Sequence, residues 1–117
     1  MRVDFLNEVK VRGILKRKSF AVDSQRPRVN YTVQVPRGRT GLFDFVTCYS
    51  LGETAVHVDT IEVGSFVAVE GAIRSSTFTT PAGERLYRTE VTVWKIADYG
   101  VWDSTTPPTF HTGGDVR

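Results

Sequence analysis

The sequence predicts an all-β fold, a five-stranded barrel with one short helix between strands 3 and 4 and a long β-hairpin. Three observations carry that expectation. Val29 to Val35 places apolar residues at odd positions and polar residues at even ones, the period-2 pattern of a strand with one buried face. Residues 64–93 hold two strand-like runs separated by Thr80-Pro81-Ala82-Gly83, where proline presets one φ and glycine accepts a positive one. The strand-like segments also follow one another without a βαβ rhythm, and only Gly52 to Thr60 offers a helix or irregular crossover. Five strands in that arrangement fit an oligonucleotide/oligosaccharide-binding (OB) barrel, with an open β-sandwich as the structural rival.

Taken in order, residues 3–15 read as the first strand, with Val9 and Val11 alternating with Lys10 and Arg12. Gly13 within it marks a bulge or sharp bend that would let one strand serve two sheets of a barrel. Lys16-Arg17-Lys18 and the polar stretch to Arg28, with Pro27, read as a loop. Val29–Val35 is the second strand, closed by a compact basic turn over Pro36-Arg37-Gly38-Arg39-Thr40-Gly41. In the third strand, residues 43–49, Val46 and Cys48 face the core if Phe43, Phe45, Thr47 and Tyr49 lie on the outer sheet face. Ile61-Glu62-Val63-Gly64 leads into the fourth strand, which contains a second mid-strand glycine, Gly71, and the fifth runs to Trp94-Lys95-Ile96-Ala97.

Around the hairpin turn sit Arg74, Phe78, Arg85, Tyr87 and Arg88. Interleaved rings and guanidinium groups suit a single nucleic-acid strand, with rings stacking on bases and cations meeting phosphates. An exposed hairpin whose charges serve only solubility fits the same residues. From Asp98 the pattern dissolves, and paired prolines and glycines read as a flexible tail over 98–117 following a domain of residues 1–97. Trp102 and Phe110 in that tail would dock on the barrel or serve a partner if they do not simply stay loose.

A chain of 117 residues, 40 % hydrophobic and 24 % charged, suffices for one domain with its own core. No apolar run spans a bilayer, and the start, with Asp4 and Glu8, lacks a signal-peptide core, so no membrane and a cytoplasmic setting are expected. The single Cys48 excludes an intramolecular disulfide and a multi-thiolate metal site. The net charge of +2 conceals a segregation: residues 10–39 carry nine Lys/Arg against one acid, whereas residues 40–73 carry five acids and no base. A basic face of that kind is the footprint of a polyanion partner. Chemistry is not expected: His57 and His111 lie far apart, and there is no H-x-x-H, phosphate-cradling loop or nucleophile elbow. Neither an enzyme nor a cofactor is therefore anticipated.

The segments together resemble the single-stranded DNA-binding protein family of bacteria, phages and mitochondria, over roughly residues 6–97. Leu6 to Leu15 is similar to the family's opening N-x-V-x-L-x-G-x-L, and Val29 to Arg37 to its A-N-F-x-L-A-V-P-R. Asp44 to Cys48, with Gly52 and Ala55, resembles its third strand and helix start. Val63-Gly64-Ser65 with Val67 to Gly71 is similar to K-G-S-x-V-x-V-E-G, and Gly83 to Val91 to G-x-x-R-Y-x-T-E-V. The resemblance implies an OB barrel that binds single-stranded DNA without sequence preference, as a homotetramer, in replication, recombination or repair. It places Phe45 and Phe78 among stacking aromatics and Arg74, Arg85 and Arg88 near phosphate contacts. With the basic residues Arg12, Lys16, Arg17, Lys18, Arg28, Arg37 and Arg39 and the aromatics Tyr49 and Tyr87, these form the candidate interface.

The chain departs from the family pattern in places. Leu51 stands where an aromatic is common, the loop from Pro36 to Phe43 is short, and Lys16-Arg17-Lys18 replaces the usual D-P turn. The residues Gly113-Gly114-Asp115-Val116-Arg117 lack the acidic Pro-Phe tip through which family members recruit replication and repair proteins, so recruitment by that route is not expected. The rival reading is an OB accessory module of the primosomal type that binds protein or RNA.

Overall fold

The computed structural model describes residues 4–23 and 25–101. The tail residues 102–117, including Trp102, Phe110 and His111, lie outside the described residues. Strands β1 (Val9–Asp23), β2 (Arg26–Pro36) and β3 (Phe43–Leu51), helix α1 (Gly52–Asp59), and strands β4 (Ser65–Thr79) and β5 (Arg85–Val101) follow in sequence. They close into a barrel of strand order β1-β2-β3-β5-β4. This is the all-β, five-stranded OB arrangement the sequence leads one to expect, with a single short helix between β3 and β4.

β1 serves both walls of the barrel. Val9 to Ile14 pairs antiparallel with β4, and Ile14 to Asp23 pairs antiparallel with β2. Gly13 sits at the changeover because a Cβ there would lie 2.3 Å from the Gln34 carbonyl oxygen. The register slip falls at Lys16, between Leu15 and Arg17, and not at the glycine. Residues 16–23, expected as a loop, instead continue the strand and form a hairpin with β2 that ends in the pair Asp23–Arg26. Local polarity misleads there, because the outer face of a hairpin projecting from a barrel needs no apolar residues. The first strand also begins later than the expected residue 3. Asn7 precedes it and extends the ladder with its side chain, whose amide donates to the Ile73 carbonyl and accepts from the Ile73 N–H, both at 2.8 Å.

The β4–β5 hairpin turns through Thr80 to Gly83, where the Gly83 N–H donates to the Thr80 carbonyl at 2.8 Å and Gly83 has φ +88°. At Gly71 the register slips against β5, leaving Trp94 as the extra residue between Val93 and Lys95. A Cβ on Gly71 would stand 1.8 Å from the Thr92 carbonyl oxygen, so the strands approach there as only glycine permits. β5 runs on to Val101, four residues past the expected end at Ala97, because Asp98 and Val101 pair with Val67 and Ser65 of β4.

The alternating residues Val29, Tyr31 and Val33 of β2 meet Val67 and Val69 of β4 and Val91 and Val93 of β5 in the barrel interior. α1 closes one end with Ala55 and Val58, both fully buried. One polar pin crosses the core: the Tyr31 hydroxyl donates to Ser50 Oγ at 2.8 Å, and Ser50 donates to the Val93 carbonyl at 3.0 Å. Burial holds the Tyr31 phenol neutral far above its usual pKa. Burial first, and the charge of Glu90 second, push the Cys48 thiol up to about 12.

Candidate nucleic-acid interface

Because side chains alternate along each strand, the residues between the core positions share the outer face. On β2 these are Arg28, Asn30 and Thr32; on β3, Phe45, Thr47 and Tyr49. Register aligns Asn30 with Tyr49 and Tyr49 with Thr92 of β5. Across the hairpin, Arg74 opposes Glu90, Ser76 opposes Arg88 and Phe78 opposes Leu86. The result is a continuous outer surface over β2, β3, β5 and β4. An open cleft of about 520 Å³ lies in it, lined by Arg28, Asn30, Tyr49, Arg74, Ser75, Ser76, Arg88 and Glu90.

The cleft is organised by stacking and charge. The Arg28 guanidinium lies over the Tyr49 ring, 4.1 Å from its centroid, and its Nε donates to Asn30 Oδ1 at 2.9 Å. Arg28 Nη2 stands 3.7 Å from Glu90 Oε1, and the Glu90 side chain is only 11 % exposed. At the outer end of the cleft the Arg88 guanidinium lies 4.9 Å from the centroid of Phe78, a ring that remains 40 % exposed. Cation–π contacts of this kind hold guanidinium groups in place while leaving their donor edges available.

The structure sorts the candidate residues. Arg28, Tyr49, Arg74, Phe78 and Arg88 come together at the cleft. Phe45 shares their face, 58 % exposed, about 13 Å along β3 from Tyr49. Arg17, opposite Thr32, and the bulged Lys16 border the same face at β1. Arg85 and Tyr87 fall elsewhere: Tyr87 opposes Thr77, one register position from the Phe78–Leu86 pair, and so occupies the reverse face of the hairpin. Arg12 opposes Ala68 on a different wall, beside a smaller recess of about 310 Å³ lined in part by Glu70, Lys95 and Tyr99. In the β2–β3 turn, Arg37 is ion-paired with Asp44 at 3.0 Å, and Arg39 is exposed. Lys18 is turned to another task. Its ammonium donates to the carbonyls of Asp59 and Ile61, at and just beyond the C-terminus of α1, where a cation also complements the helix dipole.

Three residues of interest escaped the sequence reading. Asn30 and Glu90 reach one cleft only through the β2-β3-β5 order, although their even, outward positions in period-2 strands were legible. Trp94, 57 % exposed, is displayed by the bulge opposite Gly71, which no local pattern announces.

Among the described residues no His, Cys, Asp and Glu cluster is suited to hold a metal ion, and no helix is long and apolar enough to cross a membrane. No individual curated protein matches the chain. The model of the single-strand binding protein family matches residues 6–97, which is most of the chain and spans all five strands except the last four residues of β5. With the OB barrel and its basic, aromatic outer face in place, that match means the chain belongs to the single-strand binding protein family.

Proposed function

We propose that this protein binds single-stranded DNA with little regard to sequence and holds it unpaired and protected during replication, recombination or repair. The observation that carries the reading is the outer face on which Arg28, Arg74 and Arg88 converge beside exposed Phe78, with Phe45 further along β3. Bases stack on Phe45 and Phe78, which tolerates any sequence because every base has a π face, at ~1–3 kcal/mol per base. Arg17, Arg74 and Arg88, with Lys16, meet the phosphates. Each phosphate neutralised adds about −0.7 to the log–log dependence of affinity on salt. Duplex DNA is a poor ligand because its bases are not available to stack. The family resemblance supports a homotetramer as the working assembly and a cytoplasmic setting.

The test is a fluorescence titration with oligo-dT at two salt concentrations, with duplex DNA as control. Tyr49 lines the cleft and can report. Quenching that weakens with salt and is absent with duplex supports the proposal. A flat titration at low salt overturns it and favours an accessory module with a protein ligand.

A further inference from the structure

The surface just described contains one group that a purely phosphate-binding face would not need. Glu90 lies in the cleft among Arg28, Arg74 and Arg88, directly opposite Arg74 in register, with its side chain almost wholly buried. A carboxylate repels phosphate, yet it is the strongest acceptor a protein can offer to the amino and imino edges of a base.

We infer that this cleft is a subsite for an unpaired guanine, read by the Glu90 carboxylate and stacked on the Arg28 guanidinium. The inference rests on the proposed single-strand binding and adds a base preference to it at one position. Of the four bases, only guanine presents two adjacent donors, N1–H and the N2 amino group, on its Watson–Crick edge, matching the two oxygens of a carboxylate. Adenine and cytosine each set a single amino group beside a ring-nitrogen acceptor. Thymine flanks its one N–H with two carbonyls whose lone pairs would face the carboxylate.

The rest of the cleft fits that ligand. Arg28 lies over Tyr49 and is tied to Asn30, so its guanidinium is fixed in the cleft where a purine can meet it. Its Nη2 is 3.7 Å from Glu90, longer than a hydrogen bond, so the pair balances charge without saturating the acceptor oxygens. Arg74 and Arg88 line the same cleft and can take the flanking phosphates. Low exposure of Glu90 strengthens the discrimination, because a partly desolvated acceptor penalises a base that cannot donate to it.

The experiment compares a short oligo-dT with the same oligomer carrying one central dG, and with one carrying deoxyinosine, which lacks the N2 amino group. The dG oligomer is expected to bind roughly fivefold or more tightly than oligo-dT, the gain of one bidentate base contact. Deoxyinosine should lose most of that gain. Glu90→Gln, checked for its melting temperature, should bring the dG preference to near unity, since the amide replaces one of the two acceptor oxygens with an NH2 donor that faces a guanine donor. Binding to oligo-dT with no dG preference overturns this inference and leaves the proposed function standing. A dG preference that survives both deoxyinosine and Glu90→Gln also overturns it. Failure to bind any single strand overturns both.

Discussion

Replacing Phe78 with alanine separates stacking from electrostatics on the proposed interface. The ring is 40 % exposed near the outer part of the β4–β5 hairpin, away from the buried cluster, and its named contact is the Arg88 guanidinium at 4.9 Å. Losing an exposed cation–π contact costs about 0.5–1 kcal/mol, so the melting temperature should fall by only a few degrees. Losing one stacked base costs about 1–3 kcal/mol, a fivefold to 150-fold rise in Kd for oligo-dT. No phosphate contact is removed, so the salt slope should stay as in the wild type. Arg74→Ala is the contrasting perturbation, expected to make the slope shallower by about 0.7. The assay is the oligo-dT titration at several salt concentrations, paired with thermal melting. A Phe78→Ala variant that melts normally and binds oligo-dT as tightly as the wild type would refute the reasoning.

Three further outcomes follow from the fold. Gly71→Ala places a Cβ against the Thr92 carbonyl at a distance no neighbouring side chain can relieve, so the strands must part; a loss of roughly 3 kcal/mol is expected in denaturant unfolding. Lys18→Ala removes the donor to the Asp59 and Ile61 carbonyls and should cost about 1 kcal/mol of stability while leaving the salt slope of DNA binding unchanged. Cys48 stays protonated in the folded state to about pH 12, whereas the exposed thiol ionises near pH 9. Its contribution is therefore full below pH 9 and lost as pH rises toward 12, at roughly 1 kcal/mol per pH unit. Tyr31, shifted in the same direction, adds to the loss above pH 10. Unfolding free energies measured from pH 8 to pH 11 should fall, and Cys48→Ala should flatten the first part of that fall.

The sequence by itself determined the all-β class, the β2 and β3 faces, the β4–β5 turn and the helix after Leu51, because each depends on periodicity or turn chemistry within a few residues. It also singled out the arginines and rings that meet at the cleft, Arg28, Tyr49, Arg74, Phe78 and Arg88. What it misread was the β1–β2 hairpin over residues 16–28. A strand is held by hydrogen bonds to its neighbour, and an exposed, basic one carries no apolar signature of its own. Only the tertiary structure decided which candidates act together. Strand register sends Phe78 and Tyr87 to opposite faces of one hairpin although they are nine residues apart on adjoining strands. It puts Lys18 on the end of α1, and it brings Asn30, Tyr49 and Glu90 into one cleft across three strands. Those placements are set by long-range pairing and by where Gly13 and Gly71 let strands bend and close, distances that no local pattern in the chain encodes.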